Sequence, residues 1–270
     1  MRDWNAAAGN ALAVVRQRRV LVHSITNYVV MNSTANVLLA AGASPVMAHA
    51  REEVEEMAAL AGALVLNIGT LSPPWVEAMR LAGAAANRCG IPVVLDPVGA
   101  GATDYRTETA RNLARELEIA VIRGNASEIL SVAGAASMTR GVDAAHDVGE
   151  AARVGAELAQ RLGCAVAITG EVDLVTDGAR VFEIRGGHPL MGRVTGTGCA
   201  ATALVAAFCA VEVDPVVAAA GALAYLGIAG ERAAERAEGP GSFQVALYDA
   251  LAAIPPAELA AAARIREVAR

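Results

Sequence analysis

Short apolar runs alternate along the chain with longer segments whose apolar residues recur at helical spacing. The runs have the length and β-branched content of strands, and they cover residues 20–25, 43–47, 63–70, 91–96, 119–122 and 165–168. The segments between them predict helices over residues 4–18, 32–41, 73–89, 107–117 and 149–162, with another helix beginning near residue 51. Asp177-Gly178 separates two further runs and predicts a β-hairpin. This alternation is typical of a parallel sheet covered by helices.

The continuous apolar character of these runs is expected of strands that are covered on both faces. We therefore predict an α/β protein with three α/β/α layers and a mostly parallel central sheet, formed by residues 1–270 as a single domain. The Gly- and Ala-rich segment 132–148 predicts a surface loop, and the tail beyond residue 210 predicts helices. Neither a Walker A sequence nor a Gly-x-Gly-x-x-Gly turn follows the first strand, which disfavours P-loop NTPases and Rossmann dehydrogenases.

Composition and charge narrow the classes of partner. The net charge is −6 and no cluster of basic residues occurs, so nucleic acid is not an expected partner. The four cysteines lie far apart, which favours neither a zinc site nor disulfides and fits a reducing cytoplasm. The N-terminal segment lacks the apolar core of a signal peptide. Two uncharged runs, 194–211 and 215–230, approach the length of a membrane span, but an acidic connector separates them and predicts a pair of buried helices instead.

The loop at residues 194–199 has the features of an anion site. Gly196 and Gly198 permit unusual backbone dihedrals and a close approach of ligand to main chain, and an apolar helix follows directly. The N–H groups of a first helical turn and the helix dipole together favour a phosphate there. The same field is expected to lower the pKa of the Cys199 thiol. A Gly-rich turn that only packs a core helix is the alternative.

Polar residues follow several strands at the edge where α/β folds bind their ligands. Asn27 follows the first strand, and Asp96 is placed to hold a magnesium ion or a magnesium-bound water. Arg123 can grip phosphate oxygens and Glu128 can orient the metal. Structural alternatives exist for each: a turn or cap at Asn27, an Asp-Pro turn at Asp96, and an Asn125 cap with Glu128 at the third helical position.

Six motifs, taken together and in order, closely resemble the hydroxyethylthiazole kinases of the ribokinase-like superfamily. They are SITNYV at 24–29, SPVM at 44–47, LNIGT at 66–70, LDPVGA at 95–100, RGNASE at 123–128 and VTGTGCA at 194–200. The resemblance implies a ribokinase-like fold and transfer of the ATP γ-phosphoryl group to the hydroxyl of 4-methyl-5-(2-hydroxyethyl)thiazole, a salvage step of thiamine biosynthesis. It also implies a need for Mg²⁺ and a homotrimer with active sites near the subunit interfaces, acting in the cytoplasm without a membrane or nucleic-acid partner.

The resemblance also assigns roles to residues of this chain. Substrate-binding residues would be Met47, Gly196, Asn27 and Gly69. ATP-binding residues would be Arg123, Thr169 and Asn125. Metal-binding residues would be Asp96 and Glu128. The catalytic residues would be Thr197, Gly198 and Cys199.

Cys199 stands where most ribokinase-like enzymes have an aspartate. A thiol is a modest base at neutral pH, and a loose phosphoryl-transfer transition state demands little of a base. We therefore expect the main-chain amides of residues 196–198 to matter more than Cys199. The alternatives to this function are a related kinase such as a hydroxymethylpyrimidine kinase, a lyase on the same fold, and a non-catalytic protein that binds the thiazole or a nucleotide. Burial of residues 196–198 inside the protein, out of reach of any cleft bordered by residues 96, 123 and 128, would exclude the proposal.

Overall fold

The computed structural model describes residues 3–134 and 144–268. Within them the strands form one nine-stranded sheet in the order β2-β1-β3-β4-β5-β6-β7-β8-β9. The strands are β1 Leu21–Ile25, β2 Ser44–Val46, β3 Ala63–Asn67, β4 Val93–Asp96, β5 Val121–Asn125, β6 Ala165–Thr169, β7 Val172–Thr176, β8 Val181–Arg185 and β9 Ile265–Val268. The first six pair in parallel and the last three antiparallel. The predicted mostly parallel sheet and the hairpin are confirmed.

Helices cover both faces of this sheet. They are α1 Trp4–Arg18, α2 Met31–Ala41, α3 Val54–Leu60, α4 Pro73–Arg88, α5 Asp104–Glu116, α6 Ala126–Ala133, α7 Ala144–Leu162, α8 Thr197–Cys209, α9 Pro215–Arg236, α10 Pro240–Ala253 and α11 Pro256–Ala262, with a 3₁₀ turn at Pro189–Arg193. One core cluster joins the sheet to α1, α2, α8, α9 and α10, and a second joins it to α3 through α7. The predicted three-layer fold is therefore confirmed.

The two uncharged runs form the buried helices α8 and α9. Helix α9 has the length and hydropathy of a membrane span, but 89% of its apolar window is buried inside the protein. Small side chains allow this burial, because a Cβ atom added at Gly221 would lie 3.1 Å from the Cβ atom of Ala8 on α1. The chain has few aromatic residues, and its core is filled instead by helices that pack closely through small side chains.

Several boundaries differ from the sequence-based predictions; for example, α5 and α7 begin at Asp104 and Ala144 and not at residues 107 and 149. The loop predicted at 132–148 is wrong at both ends, since its alanine-rich ends continue α6 and begin α7; residues 135–143 lie outside the described residues. Strand β5 runs to Asn125 because its backbone stays paired with β6, so Arg123 lies within a strand. The tail contains, besides helices, the strand β9, which pairs with β8 and closes that edge of the sheet.

Candidate active site

The loop before α8 reaches the surface of a cleft. Gly196 caps the helix with φ +88°, a conformation that favours glycine. A Cβ atom there would also lie 2.8 Å from Val30 Cγ1, so no larger residue fits without a shift of Val30. The hydroxyl of Thr197 donates to the Met191 carbonyl at 3.0 Å and holds the loop against the 3₁₀ turn. Residues 196–198 are partly exposed. The loop is therefore not sealed inside the protein, and of residues 96, 123 and 128 it is Arg123 that lines the cleft in front of it.

The cleft in front of this loop has a volume of about 620 Å³. Its walls come from the ends of β5 and β6, the β7–β8 hairpin, the 3₁₀ turn, and helices α8 and α9. Lining residues include Arg123, Thr169, Asp173, Gly186, Gly187, Met191, Thr197, Gly198, Leu223, Leu226 and Gly227. Four of these were predicted: Arg123, Thr169, Thr197 and Gly198. Asn125 pairs with Thr169 in the sheet but is not among the lining residues.

Arg123 lies where the cleft meets the buried end of the site. Its Nη2 donates to Thr169 Oγ1 at 2.6 Å, and its Nη1 lies 3.5 Å from Asp96 Oδ1. A Cβ atom at Gly198 would lie 2.9 Å from both Nη atoms, so the guanidinium rests against the glycine backbone. Glycine at 198 thus makes room for the Arg123 guanidinium. The arginine places a fixed positive charge at the N-terminus of α8.

Asp96 is the buried carboxylate behind Arg123. Its Oδ2 accepts hydrogen bonds from Asn67 Nδ2 at 2.7 Å and Thr202 Oγ1 at 2.8 Å. Its Oδ1 has no hydrogen-bond partner among the described residues. Complete burial, with a smaller contribution from the nearby charge of Glu128, raises the pKa of Asp96 to about 6 against the opposing effect of the Arg123 charge. One carboxylate oxygen is therefore anchored by hydrogen bonds, and the other faces Arg123 Nη1 at 3.5 Å without a hydrogen bond from the described residues.

Cys199 lies in the first turn of α8, above the ends of β1 and β3. Its Sγ lies 3.2 Å from Asn67 Nδ2 and 3.6 Å from Asn27 Nδ2. Burial raises the pKa of this thiol to about 11, and the negative charge of Asp96 acts in the same direction. The expectation of a lowered pKa is wrong, because burial and the Asp96 charge outweigh the two amides and the Arg123 charge.

The four residues predicted to bind the thiazole lie along neighbouring segments. Asn27 Nδ2 donates to Asn67 Oδ1 at 2.9 Å, and its Oδ1 accepts the Val29 N–H, which is the turn role considered above. A Cβ atom at Gly69 would lie 2.6 Å from Asn27 Nδ2, so this glycine allows the Asn27 amide its place. Met47 follows β2, which pairs with β1, and is half-buried.

Glu128 and Asn125 form the predicted capping box at the start of α6. Asn125 Oδ1 accepts the Glu128 N–H at 2.9 Å, and Glu128 Oε2 accepts the Asn125 N–H at 2.8 Å. The other carboxylate oxygen of Glu128 accepts the Gly99 N–H at 2.9 Å. The carboxylate thus fixes the glycine-rich loop that follows Asp96, and it is nearly buried.

Sequence reasoning missed three polar residues of this region: Asn67, Thr202 and Asp173. Asn67 ends β3 and pairs with Asp96 in the sheet, so its position after an apolar run was a usable signal. Thr202 lies three residues after Cys199 on α8, inside a run that reads only as apolar core. Asp173 accepts the Gly170 N–H at 2.9 Å, and burial raises its pKa to about 6. Nothing in the sequence of the hairpin distinguishes Asp173 from an ordinary exposed aspartate, so its place in the cleft could not be predicted.

Comparisons with known proteins agree with this geometry. A profile described as the hydroxyethylthiazole kinase family matches residues 12–257. A hydroxyethylthiazole kinase of Desulfotalea psychrophila is 55% identical over 99% of this chain and 98% of its own length. One of Desulforudis audaxviator is 57% identical over 96% of this chain and 95% of its own.

Solved structures give the same result. The hydroxyethylthiazole kinase protein from Pyrococcus horikoshii OT3 superposes with a TM-score of 0.89 at 48% identity, covering 97% of this chain and 99% of that one. A ribokinase-like superfamily protein from Enterococcus faecalis V583 shares the fold, with a TM-score of 0.65 at 13% identity over 90% of this chain and 93% of its own. The profile and the relatives span nearly the whole chain, and the site residues lie together at the edge of the sheet. The chain therefore belongs to the hydroxyethylthiazole kinase family and is a kinase.

Proposed function

We propose that this kinase transfers the γ-phosphoryl group of ATP to the hydroxyl of 4-methyl-5-(2-hydroxyethyl)thiazole, as a salvage step of thiamine biosynthesis. The observation that carries the proposal is the position of Arg123. Its guanidinium joins the cleft, through Thr169, to the buried carboxylate of Asp96 and rests on the loop before α8. A phosphoryl group in transfer needs such a fixed positive charge beside helix N–H groups.

The two substrates occupy opposite sides of this loop in our proposal. ATP lies in the 620 Å³ cleft, with its phosphates directed to Arg123, Thr169 and the first turn of α8, and with Asn125 at the edge. The thiazole alcohol lies on the side of Met47, Gly196, Asn27 and Gly69. Thr197 and Gly198 would then contribute N–H groups to the oxygens of the transferred group, where charge develops.

Magnesium fits the residues present. Asp96 Oδ1 is a buried carboxylate oxygen without a hydrogen bond from the described residues, and Glu128 lies near enough to raise the pKa of Asp96. We propose that these two residues hold Mg²⁺ or its bound waters, and the ion would neutralise charge on the phosphates. The described residues contain no group of three or more His, Cys, Asp or Glu able to enclose an ion, and Mg²⁺ commonly binds through one or two carboxylates plus substrate phosphates.

Cys199 is the proposed acceptor of the alcohol proton. A protonated thiol cannot accept a further proton, and burial raises the pKa of Cys199 to about 11, so only its small thiolate fraction would take the alcohol proton at neutral pH. Most of the proton loss would therefore follow bond formation to phosphorus. An aspartate at this position carries its charge more readily, and we expect Cys199→Asp to retain activity. A folded Cys199→Asp protein without turnover would argue against a base at this position.

A homotrimer in the cytoplasm completes the proposal. Tyr28 and Val29, which follow Asn27, are 66% and 65% exposed despite being apolar, and a neighbouring subunit would bury them. Light scattering should then give a mass three times that of the 27.5-kDa chain. A monomer at micromolar concentration would overturn this part without affecting the chemistry.

A coupled assay of ADP release tests the function directly. With the purified chain, magnesium and ATP, release should depend on the hydroxyethylthiazole. Release with hydroxymethylpyrimidine instead would identify the related kinase, and binding of the thiazole or of ATP without ADP release would identify a non-catalytic binder. Transfer of phosphate to the thiazole alcohol, followed by mass spectrometry of the product, separates kinase activity from ATP hydrolysis.

A further inference from the structure

The side chain of Asn67 lies between Asp96 and Cys199. It ends β3, is 1% exposed and makes hydrogen bonds through both ends of its amide. Its Nδ2 lies 2.7 Å from Asp96 Oδ2 and 3.2 Å from Cys199 Sγ. Its Oδ1 lies 2.9 Å from both Gly69 N and Asn27 Nδ2. The roles proposed above leave this residue without one.

The surroundings of Asn67 determine which way its amide faces. A backbone N–H can only donate, so the Gly69 N–H must meet the amide oxygen. An ionised carboxylate can only accept, so Asp96 must meet the amide nitrogen. Exchange of the two ends would set donor against donor at Gly69 and acceptor against acceptor at Asp96. One orientation therefore satisfies every neighbour.

This orientation fixes what Cys199 faces. One hydrogen of Asn67 Nδ2 goes to Asp96, which leaves the second for Sγ. Asn27 is arranged in the same way, since one hydrogen goes to Asn67 Oδ1 and the other side of its nitrogen faces Sγ at 3.6 Å. The sulfur is thus an acceptor toward both amides, and the S–H of the thiol has to point away from them.

Asn67 could serve to anchor Asp96 or to hold the Cys199 sulfur, and a second donor to Asp96 allows these two roles to be distinguished. Thr202 Oγ1 also donates to Asp96 Oδ2, at 2.8 Å, and Thr202 lies on the same face of α8 as Cys199, three residues later. Both side chains therefore tie the aspartate to its surroundings. Only Asn67 also contacts the sulfur. If Asn67 only anchored Asp96, its loss would have the same effect on Cys199 as the loss of Thr202.

We propose that Asn67 is a positioning residue for Cys199: its amide, oriented by Asp96 and Gly69, presents an N–H to the sulfur and holds it for proton transfer from the substrate alcohol. The proposal rests on the function assigned to Cys199 above. Cys199 acts in its thiolate form: the S–H bond forms as the O–H bond of the substrate alcohol breaks, while the alcohol oxygen bonds to the γ-phosphorus and the bond from that phosphorus to the leaving ADP oxygen breaks. Asn67 itself gains and loses no proton.

The test compares Asn67→Ala with Thr202→Val in the absence of substrates. Iodoacetamide alkylates thiolates, and peptide mass spectrometry follows Cys199 against the exposed Cys89 of the same molecule as reference. A charge-assisted hydrogen bond to the thiolate is removed by Asn67→Ala, so the ratio of the Cys199 rate to the Cys89 rate should fall about tenfold. The same ratio in Thr202→Val should stay within about twofold.

A merely structural role predicts the opposite sign, because loosening the site exposes Cys199 and speeds its alkylation. Faster or unchanged alkylation in Asn67→Ala, or an equal slowing in Thr202→Val, would overturn the proposal. Asn67→Ser, which is too short to reach both neighbours, replaces the alanine variant should that one not fold. Because no substrate is present, the measurement is independent of the ADP assay that tests the proposed function.

Turnover provides a second readout. Asn67 is not among the residues that line the nucleotide cleft, so Asn67→Ala should lower kcat about tenfold and leave the KM for ATP within about twofold. A rise in that KM without a fall in kcat would instead place Asn67 in nucleotide binding and contradict its positioning role.

Discussion

The two sides of the α8 N-terminus differ in the kind of atom that defines them. Behind it, the side chains of Asn27, Asn67, Asp96, Cys199 and Thr202 form one connected hydrogen-bonded network. In front of it, the proposed nucleotide cleft depends on main-chain packing, because Gly186, Gly187 and Gly227 let the loop after β8 approach α9 closely. The first region is defined by its donors and acceptors, and the second in large part by the close approach of main-chain segments.

This difference predicts how each region fails. The buried network should be sensitive to loss of a polar atom, because an unpaired buried group is costly. The cleft should be sensitive to the addition of even one methyl group. Arg123 is part of both regions, through Thr169 on one side and Asp96 on the other. Substitutions can therefore test whether the hydrogen-bonded network and the cleft contribute separately to activity.

Replacing Arg123 should have the largest effect, because both regions lose their shared cation. We expect Arg123→Met to lower kcat/KM about a thousandfold, since a charge aimed at the developing phosphoryl charge is lost. Arg153→Met, at an exposed helix pair with Glu157, is the matched control and should stay near the natural value. Steady-state kinetics of folded protein, checked by thermal unfolding, gives the comparison. A loss of less than tenfold would remove Arg123 from phosphate binding.

Substitutions at residues 198 and 199 compare an added atom with a lost polar atom at adjacent positions. A methyl group at residue 198 must displace the buried guanidinium of Arg123, so we expect Gly198→Ala to lower kcat about a hundredfold. Cys199→Ala removes only a modest base, and we expect a loss of about tenfold. Gly241→Ala is the control, because nothing lies within 4 Å of a Cβ atom there. An inactive Cys199→Ala beside an active Gly198→Ala would reverse the ranking.

The sequence predicted the network side of the site better than the cleft side. Parallel strands bring their carboxyl ends together, so polar residues after apolar runs could be predicted to meet; Asp96 and Arg123 do so, and Asn67 pairs with Asp96. The α/β/α layers followed from the same pattern. Thr202 escaped detection because a buried threonine within an apolar helix has no distinguishing neighbours in the sequence.

The cleft side depends on how distant segments approach one another. Gly227 on α9 meets the backbone of residues 186–187 only after the hairpin has folded back over the helix, and no local pattern encodes that contact. The pKa of Cys199 was predicted in the wrong direction for a similar reason. The position of Cys199 at a helix start can be predicted from the local sequence, whereas its burial among Asn27, Asn67 and Asp96 depends on the tertiary fold.

Gly227→Ala isolates the cleft from the network. A Cβ atom at this position would lie 3.2 Å from Gly187 N and 3.3 Å from the carbonyl carbon of Gly186, so helix and loop would have to separate slightly. We expect the KM for ATP to rise about tenfold and kcat to stay within about twofold, since the residue lies away from Asp96 and Cys199. Gly241→Ala again serves as the control. A fall in kcat with an unchanged KM would mean that the two regions are not separable.

Asp173 gives the smallest expected effect, and it concerns stability more than turnover. Burial raises the pKa of this cleft residue to about 6, against the opposing influences of the Gly170 N–H and the Arg123 charge. A carboxyl with a raised pKa binds its proton more tightly in the folded state, so its stabilising contribution is present at low pH and is lost as the pH rises through about 6. Asp173→Asn cannot ionise and should not lose it.

The difference in unfolding free energy between Asp173→Asn and the natural protein should therefore shift in favour of the variant between pH 5 and pH 8. We expect a shift of about 1 kcal/mol from urea unfolding at the two pH values. The raised pKa of Asp96 acts in the same interval but is present in both proteins, so it cancels in the difference. An unchanged difference would mean that Asp173 keeps its ordinary pKa because water reaches it. The cleft would then be wet at the end near Arg123, and only the network behind α8 would be a low-dielectric environment.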